Sequence, residues 1–130
     1  MKSQKERMLA GELYVAHDEE LGRENLRAKR MTRLFNQTTE EQAQERQRLL
    51  KTMFKRFGDG GYIEPPFHTD YGTNTTIGQN FYANYDAIFV DCGPITIGDN
   101  AGSYTHLRAH ETKAKLGCRL LPGKKKFTSL

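Results

Sequence analysis

Apolar residues in the first third of the chain recur at helical spacing. Asp18 is a good N-cap for the segment after it, because its carboxylate can accept from the unpaired amides at a helix start. An imperfect apolar stripe follows, formed by Leu21, Leu26, Met31, Leu34 and Phe35. The pattern predicts a helix over 19–36 with Asn36 as its stop, preceded by a short helix over roughly 3–9.

A second periodic segment follows directly. Thr38 and Glu41 have the spacing of a capping box, which predicts that another helix starts there. Gly58 is a suitable residue to end it. The residues predicted to face inward are Ala43, Leu49, Leu50, Met53, Phe54 and Phe57.

After Gly58 the pattern predicts extended chain instead of helix, since glycine, proline and β-favouring residues dominate. Ile77-Gly78 recurs as Ile97-Gly98, so the aliphatic residues are 20 positions apart. Four residues recur at six-residue intervals within and around that span, namely Ile77, Ala83, Phe89 and Ile95. Such spacing suits a small triangular coil with one inward residue on each side. The two positions beyond three six-residue steps are predicted near Gly93-Pro94, a natural corner.

Composition fits one globular domain: the chain has 130 residues, 36% of them hydrophobic. No apolar run approaches the ~20 residues of a membrane helix, and no signal peptide is evident, so we expect a cytoplasmic protein without a membrane partner. The net charge of +4 comes from the end of the chain, because residues 101–130 hold seven Lys/Arg and one Glu. The first 100 residues hold 13 Lys/Arg and 15 Asp/Glu and offer no clustered positive face for nucleic acid.

Several motifs together carry a resemblance to a known family. They are MLAGELY, DEELGRENLRAKRMTRLFN, YIEPPFHTDYGTNTTIGQNFYANYDAIFVD and PITIGDN, which cover about residues 6–100. With these motifs the chain resembles the maltose/galactoside O-acetyltransferases, which are hexapeptide-repeat sugar acetyltransferases. The resemblance implies an α + β fold: an α-helical module, then a left-handed parallel β-helix. In this chain we expect only the first coil of that β-helix, truncated.

The resemblance also implies the chemistry. Members of the family are homotrimers whose active sites lie between neighbouring β-helices. A histidine acts there as general base on a sugar hydroxyl, which attacks the thioester of acetyl-CoA. No metal is implied. Substrate-binding positions of the family fall here on Asp70, Tyr82 and Asn84, with Asp91 close to another. Some members carry a second acidic residue where this chain has Cys92.

The rest of the family's pattern is not found. The family's catalytic histidine lies about fourteen residues after the IGDN string and precedes a proline. His106 and His110 stand six and ten residues after Asn100, and Leu107 and Glu111 follow them. We therefore assign no catalytic residue, and we expect the coils that bind acetyl-CoA to be absent.

The segment from residue 102 onward, SYTHLRAHET to CRLL and KKK, resembles the translation of a sequencing-library adapter read through past an insert. On this hypothesis residues 101–130 are a non-native tail. A zinc site formed by His106, His110 and Cys118 is disfavoured, since a fourth ligand is missing. A basic nucleic-acid binder acting through the tail stays an alternative, although no aromatic ladder accompanies the lysines.

The predicted division of the chain is a helical maltose-acetyltransferase-type module over 1–60, the start of the β-helix over 61–100 and the tail over 101–130. We expect the family's sugar acetylation as the parent activity, and an inactive fragment here. The other alternative is a non-enzymatic module that binds sugar or a partner through its helical part. Because one coil cannot close a core without neighbours, we also expect poor solubility.

Overall fold

Three helices open the chain. The computed structural model describes residues 1–103 and 106–108, and places α1 at Gln4–Leu9, α2 at Glu19–Asn36 and α3 at Ala43–Met53. Ser3 caps α1 in a capping box with Glu6. Asp18 caps α2, and its carboxylate accepts from the amide of Leu21 at 3.1 Å. The first two predicted helices are thereby confirmed. In the described part of the chain no helix has the length and apolar character needed to span a membrane.

The start of α3 differs from the prediction. The helix begins at Ala43 after Gln42, and Thr38 does not cap it. The Thr38 hydroxyl instead donates to the carbonyl of Phe35 at 2.6 Å, and it accepts from Arg46 Nε at 2.8 Å. The predicted capping box is therefore wrong, because the tertiary contact with Arg46 engages the hydroxyl. Ala43 is exposed, whereas the other predicted inward residues of this segment are buried.

The buried side of α2 also differs in part from the predicted stripe. Leu26 and Leu34 are 47% and 53% exposed. The residues that α2 buries are Leu21, Ala28, Thr32 and Phe35. These four follow helical spacing, but two of them are small or polar, and a count of large apolar residues passes over them.

Short parallel strands follow the helices. In the described residues they are Arg56–Phe57 (β1), Tyr62–Ile63 (β2), Phe67–Thr69 (β3), Thr75–Ile77 (β4), Tyr82–Ala83 (β5), Ala87–Val90 (β6), Ile95–Ile97 (β7), Gly102–Ser103 (β8) and His106–Arg108 (β9). They form three sheets: sheet A in the order β1-β4-β7, sheet B in the order β2-β5-β8 and sheet C in the order β3-β6-β9. The chain thus passes through the three sheets in turn, three times. The architecture is α + β, as predicted. The described residues form more than the single coil that was expected, since each sheet contains three strands.

The register explains the sequence repeat. Phe57 pairs with Ile77, and Ile77 with Ile97, so each pass advances 20 residues. The four residues predicted to point inward at six-residue intervals, Ile77, Ala83, Phe89 and Ile95, are all fully buried. The additional positions of the pass fall between Phe89 and Ile97, at the corner that contains Gly93 and Pro94, as predicted.

Three of the described strands lie outside the predicted β segment. Strand β1 falls within the region predicted to be the helical module, and β8 and β9 fall within the predicted tail. The pairing of β6 with β9 joins residues 18 apart, as in Phe89 with Leu107, whereas the other pairs are 20 apart. The remainder of the tail, including His110, Cys118 and the lysine run, lies outside the described residues.

The helical module covers the lower edge of the coils. The lower edge of each sheet is its first strand, which is β1 in sheet A, β2 in sheet B and β3 in sheet C. Lys51 donates to the carbonyl of Phe57 at 2.9 Å, and Gln47 donates to that of Gly61 at 2.8 Å. Asn36 makes two bonds to the backbone of Phe67. Each sheet edge thus receives a side chain from α2 or α3, which satisfies backbone groups that an edge strand leaves unpaired.

An aromatic cluster joins the module to the coils. Phe54 stacks on Phe67 with ring centroids 6.0 Å apart, and it meets Phe89 edge to face at 5.3 Å. Phe35 of α2 meets Phe67 edge to face at 5.0 Å. These rings are buried, and such pairs add about 0.5–1.5 kcal/mol each beyond the area they remove from water. The core is therefore continuous from α2 to the second coil.

Candidate functional site

The corner that follows sheet C is organised around Asp91. Its Oδ1 accepts from the amide of Tyr71 at 2.8 Å and from the hydroxyl of Thr69 at 3.3 Å. Its Oδ2 accepts from the hydroxyl of Thr75 at 2.8 Å and from the amide of Asn74 at 3.3 Å. Asp91 itself is 0% exposed. Both carboxylate oxygens thus hold the corner of the coil below.

The protonation of this corner is shifted by its burial. Burial raises the pKa of Asp91 to about 6, against the lowering effect of its bonds from Thr75 and the amide of Tyr71. Burial likewise raises the pKa of Tyr71 to about 12, with Tyr14 and Asp70 contributing. The pKa of Tyr14 is raised by burial and by the charge of Asp70. Asp70, Asp91, Tyr71 and Tyr14 therefore form one electrostatic group.

Asp70 is placed by its backbone. Its amide donates to the carbonyl of Phe89 at 3.1 Å, and its carbonyl accepts from Asn25 Nδ2 of α2 at 2.9 Å. The residue is partly exposed, and it stands between β3 and the corner that Asp91 holds. A carboxylate in this position can accept from the hydroxyls of a ligand at the corner.

Tyr82 and Asn84 lie elsewhere on the coil. Tyr82 is on β5 in sheet B and 47% exposed, and Asn84 is exposed just after that strand. The Tyr82 ring stacks on Tyr62 of the neighbouring strand, with centroids 6.0 Å apart and planes 12° apart. The Asn84 Oδ1 accepts from the amide of Tyr85 at 2.9 Å. Alternation along β5 buries Ala83 and turns both its neighbours outward.

The four predicted site residues therefore fall into two groups. Asp70 and Asp91 meet at the corner between sheets C and A, whereas Tyr82 and Asn84 belong to the outer side of sheet B. Asp91 is fully buried, and its carboxylate holds Thr69, Tyr71, Asn74 and Thr75 at the corner. A part for Asp91 in substrate binding stays a prediction.

Three residues beside Tyr82 were missed by the sequence analysis. Tyr62 is its partner in register, Glu64 accepts from the Tyr62 hydroxyl at 2.6 Å, and Arg46 donates to the same hydroxyl at 3.3 Å. The signal was present in the repeat, since residues 62 and 64 precede residues 82 and 84 by one 20-residue pass. Arg46 had no such signal, because α3 brings it there.

The described coils offer few cations to the phosphates of coenzyme A. Those phosphates call for cationic partners, and residues 57–103 contain no Lys or Arg, while Arg56 and Arg108 belong to the outermost strands β1 and β9. A cavity of about 300 Å³ lies beside α1, lined by Gln4, Arg7, Leu13, Tyr14 and Val15. Its single cation, Arg7, already faces Glu12 at 3.7 Å. No step involving acetyl-CoA is therefore derived from these residues.

A helical cap on parallel strands that repeat around three sheets defines a capped hexapeptide-repeat protein. Residues 7–58 match the maltose acetyltransferase hexapeptide capping motif. The galactoside O-acetyltransferase of Escherichia coli K12 is 40% identical over 95 residues, which are 73% of this chain and 47% of that protein. Nodulation protein L of Rhizobium meliloti is 39% identical over 98 residues, which are 75% of this chain and 54% of that protein.

Solved structures agree with the sequence relatives. A maltose O-acetyltransferase from Clostridium difficile 630 superposes with a TM-score of 0.79 at 40% identity, over 82% of this chain and 57% of that chain. A galactoside acetyltransferase in complex with coenzyme A gives 0.72 at 38% identity, over 77% of this chain and 50% of that chain. The chain belongs to the maltose/galactoside O-acetyltransferase family. It spans about half the length of the curated relatives it matches.

Proposed function

We propose that the parent activity of this protein is transfer of an acetyl group from acetyl-CoA to a hydroxyl of a sugar, in the cytoplasm. The observation that carries the proposal is the exposure of an aromatic ring on β5 and of a carboxamide just after that strand, Tyr82 and Asn84, in a family fold. Sugars are bound by amides and carboxylates that match their hydroxyls and by aromatic rings that cover their C–H faces.

The separation of the site residues supports a homotrimer. Asp70 lies at one corner of the coil, and Tyr82 and Asn84 lie on another sheet. In a three-fold assembly of left-handed β-helices, the corner of one copy meets a face of the next copy. A cleft between copies can therefore combine the Asp70 carboxylate of one with the Tyr82 ring of its neighbour.

The described residues supply acceptor binding and none of the transfer chemistry. A general base has to lie within hydrogen-bond reach of the sugar hydroxyl, and we assign none here. Residues 57–103 also contain no Lys or Arg, so the described part of the chain supports sugar binding and assigns no part of the transfer chemistry. A sugar-binding module is thus the second candidate function, with the binding face on the coils instead of the helices.

A chimera tests the parent activity. Residues 1–100 of this chain are joined to the matching carboxy-terminal part of the Clostridium difficile maltose O-acetyltransferase, and thiol release from acetyl-CoA is followed with maltose, glucose and a thiogalactoside. We expect sugar-dependent turnover, and at least a tenfold lower kcat/KM in Tyr82→Ala and Asn84→Ala. A folded chimera whose thiol release is independent of sugar contradicts the proposal.

A further inference from the structure

Sheet B carries an ordered polar and aromatic array on its outer side. Tyr62 and Tyr82 are paired in the register of β2 and β5, and the Glu64 amide just after β2 donates to the carbonyl of Ala83 at 2.9 Å. Each tyrosine is thus followed two residues later by a polar side chain, a carboxylate at 64 and a carboxamide at 84. We name these four residues the sheet B face.

The two rings form an offset stack. Their planes are nearly parallel, at 12°, but the centroids are 6.0 Å apart, which is farther than two fully overlapping rings stand. Tyr62 is 36% exposed and Tyr82 47%. Each ring therefore leaves apolar surface open to a ligand, and the two surfaces are adjacent.

Tyr62 is held in place before any ligand binds. Its hydroxyl donates to Glu64 Oε1 at 2.6 Å and accepts from Arg46 Nη1 at 3.3 Å. Arg46 is 5% exposed and is anchored in turn by the hydroxyl and carbonyl of Thr38. Because the ring is already ordered, binding on it loses little side-chain entropy.

We propose that the sheet B face binds an acceptor of at least two linked sugar rings, with one ring at Tyr82 and Asn84 and the second at Tyr62 and Glu64. This inference rests on the proposed function and adds a second subsite to it. The Glu64 carboxylate has acceptor capacity beyond the Tyr62 hydroxyl, and the Asn84 carboxamide carries two N–H donors. Both fit the hydroxyls at the rim of a pyranose, while the tyrosines cover its C–H face.

An oligosaccharide fits this face better than another protein surface does. A polar side chain follows each ring two residues later along the chain, and the two successive coils repeat this spacing. A chain of linked sugars repeats in the same way, with an apolar face and a polar rim on each unit. Glu64 also disfavours an acidic partner.

The test measures sugar binding to the full 130-residue chain by titration calorimetry with glucose, maltose and maltotriose. We expect maltotriose to bind at least tenfold more tightly than glucose. In Tyr62→Ala that advantage falls below threefold, while the Kd for glucose changes less than twofold. Tyr62→Phe keeps the ring and loses its two hydrogen bonds, so it retains most of the advantage. Tyr85→Ala removes an exposed tyrosine outside the stack and is the matched control.

Two results overturn the inference. One is a Tyr62→Ala variant, shown to be folded by circular dichroism, that still binds maltotriose at least tenfold more tightly than glucose, or whose affinity for glucose falls as much as its affinity for maltotriose. The other is a folded chain that binds none of the three sugars. A chain whose sheet B face is covered by a second copy, and which therefore binds no sugar there, counts as the same result. The proposed function is judged separately by turnover of the chimera. If turnover by the chimera depends on Tyr82 and is as fast with glucose as with maltose, the proposed function is supported and the second subsite is contradicted.

Discussion

Asn36 pairs with the backbone of Phe67 as a neighbouring strand would. Its Nδ2 donates to the carbonyl of Phe67 at 2.9 Å, and its Oδ1 accepts from the amide of the same residue at 3.0 Å. Asn36 is the last residue of α2, and Phe67 is the first of the edge strand β3. One carboxamide thus replaces a missing strand at the lower edge of sheet C.

Loss of this carboxamide should destabilise the fold. In Asn36→Ala both backbone groups of Phe67, a fully buried residue, lose their partner, which should lower the free energy of unfolding by about 2–3 kcal/mol. Asn36→Asp keeps an acceptor for the amide but sets a carboxylate oxygen against the carbonyl of Phe67 at the C-terminal end of α2, so at neutral pH it should also destabilise. Urea unfolding followed by circular dichroism measures both. Equal stability of wild type and Asn36→Ala contradicts this role.

Asp91 should give the stability a defined pH dependence. Burial raises its pKa in the folded state to about 6, above its ordinary value near 4, so between these values the folded chain holds a proton that the unfolded chain has released. The contribution of this carboxyl to the free energy of unfolding therefore decreases as the pH rises from about 4 to about 6, by about 2–3 kcal/mol in total.

The comparison with Asp91→Asn isolates that contribution. The variant cannot titrate at this position, so its free energy of unfolding should vary less between pH 4 and pH 6, although it should be less stable overall because an amide cannot accept all four bonds. Urea midpoints at half-unit pH steps give the difference. Parallel curves for the two proteins exclude Asp91 as the titrating group.

Two glycines should respond oppositely to alanine. A Cβ at Gly58 would stand 2.5 Å from the backbone carbonyl carbon of Gly78 on the next coil, closer than atoms can approach. Gly58→Ala should therefore separate two coils and lower the melting temperature by several degrees or prevent folding. Gly22 lies in α2 with nothing within 4 Å of its Cβ position, and Gly22→Ala should stabilise by about 0.5–1 kcal/mol. Melting temperatures of the two variants test both expectations. A Gly22→Ala variant that melts below the wild type contradicts the expected gain in helix stability.

Asn80 should tolerate glycine better than alanine. Its φ is 57°, a left-handed conformation that a Cβ disfavours, and its Nδ2 donates to Asn100 Oδ1 at 3.0 Å on the next coil. Both variants lose that exposed bond, but only alanine retains the backbone strain, so Asn80→Ala should be about 1 kcal/mol less stable than Asn80→Gly. The reverse order of urea midpoints contradicts this explanation.

The elements with strong local signals could be predicted from the sequence. Asp18 has a cap geometry that needs no tertiary partner, and Ile77 and Phe89 recur at an interval that only a coil explains. The failures have a common cause, which is contact between distant segments. Thr38 resembles a helix cap in the sequence, but Arg46 engages its hydroxyl. Leu34 resembles a core residue, but α2 buries Ala28 and Thr32 and leaves Leu34 exposed.

The candidate site divides in the same way. The family resemblance selected Tyr82 and Asn84, and the structure exposes both, one on β5 of sheet B and one just after it. The buried environment of Asp91 depends on hydrogen-bond donors from the previous coil, up to 22 residues away, so its residue type alone could not reveal it. Arg46 precedes Tyr62 by 16 residues and lies on a helix, and only the docking of α3 brings it to the tyrosine hydroxyl.

The side chains of Lys51, Gln47 and Asn36 occupy the backbone groups through which a further strand would join the bottom of each sheet. Addition of a further strand, from another copy or from another protein, is therefore disfavoured at this end of every sheet. The helices thus protect the lower end of the fold against edge-to-edge aggregation.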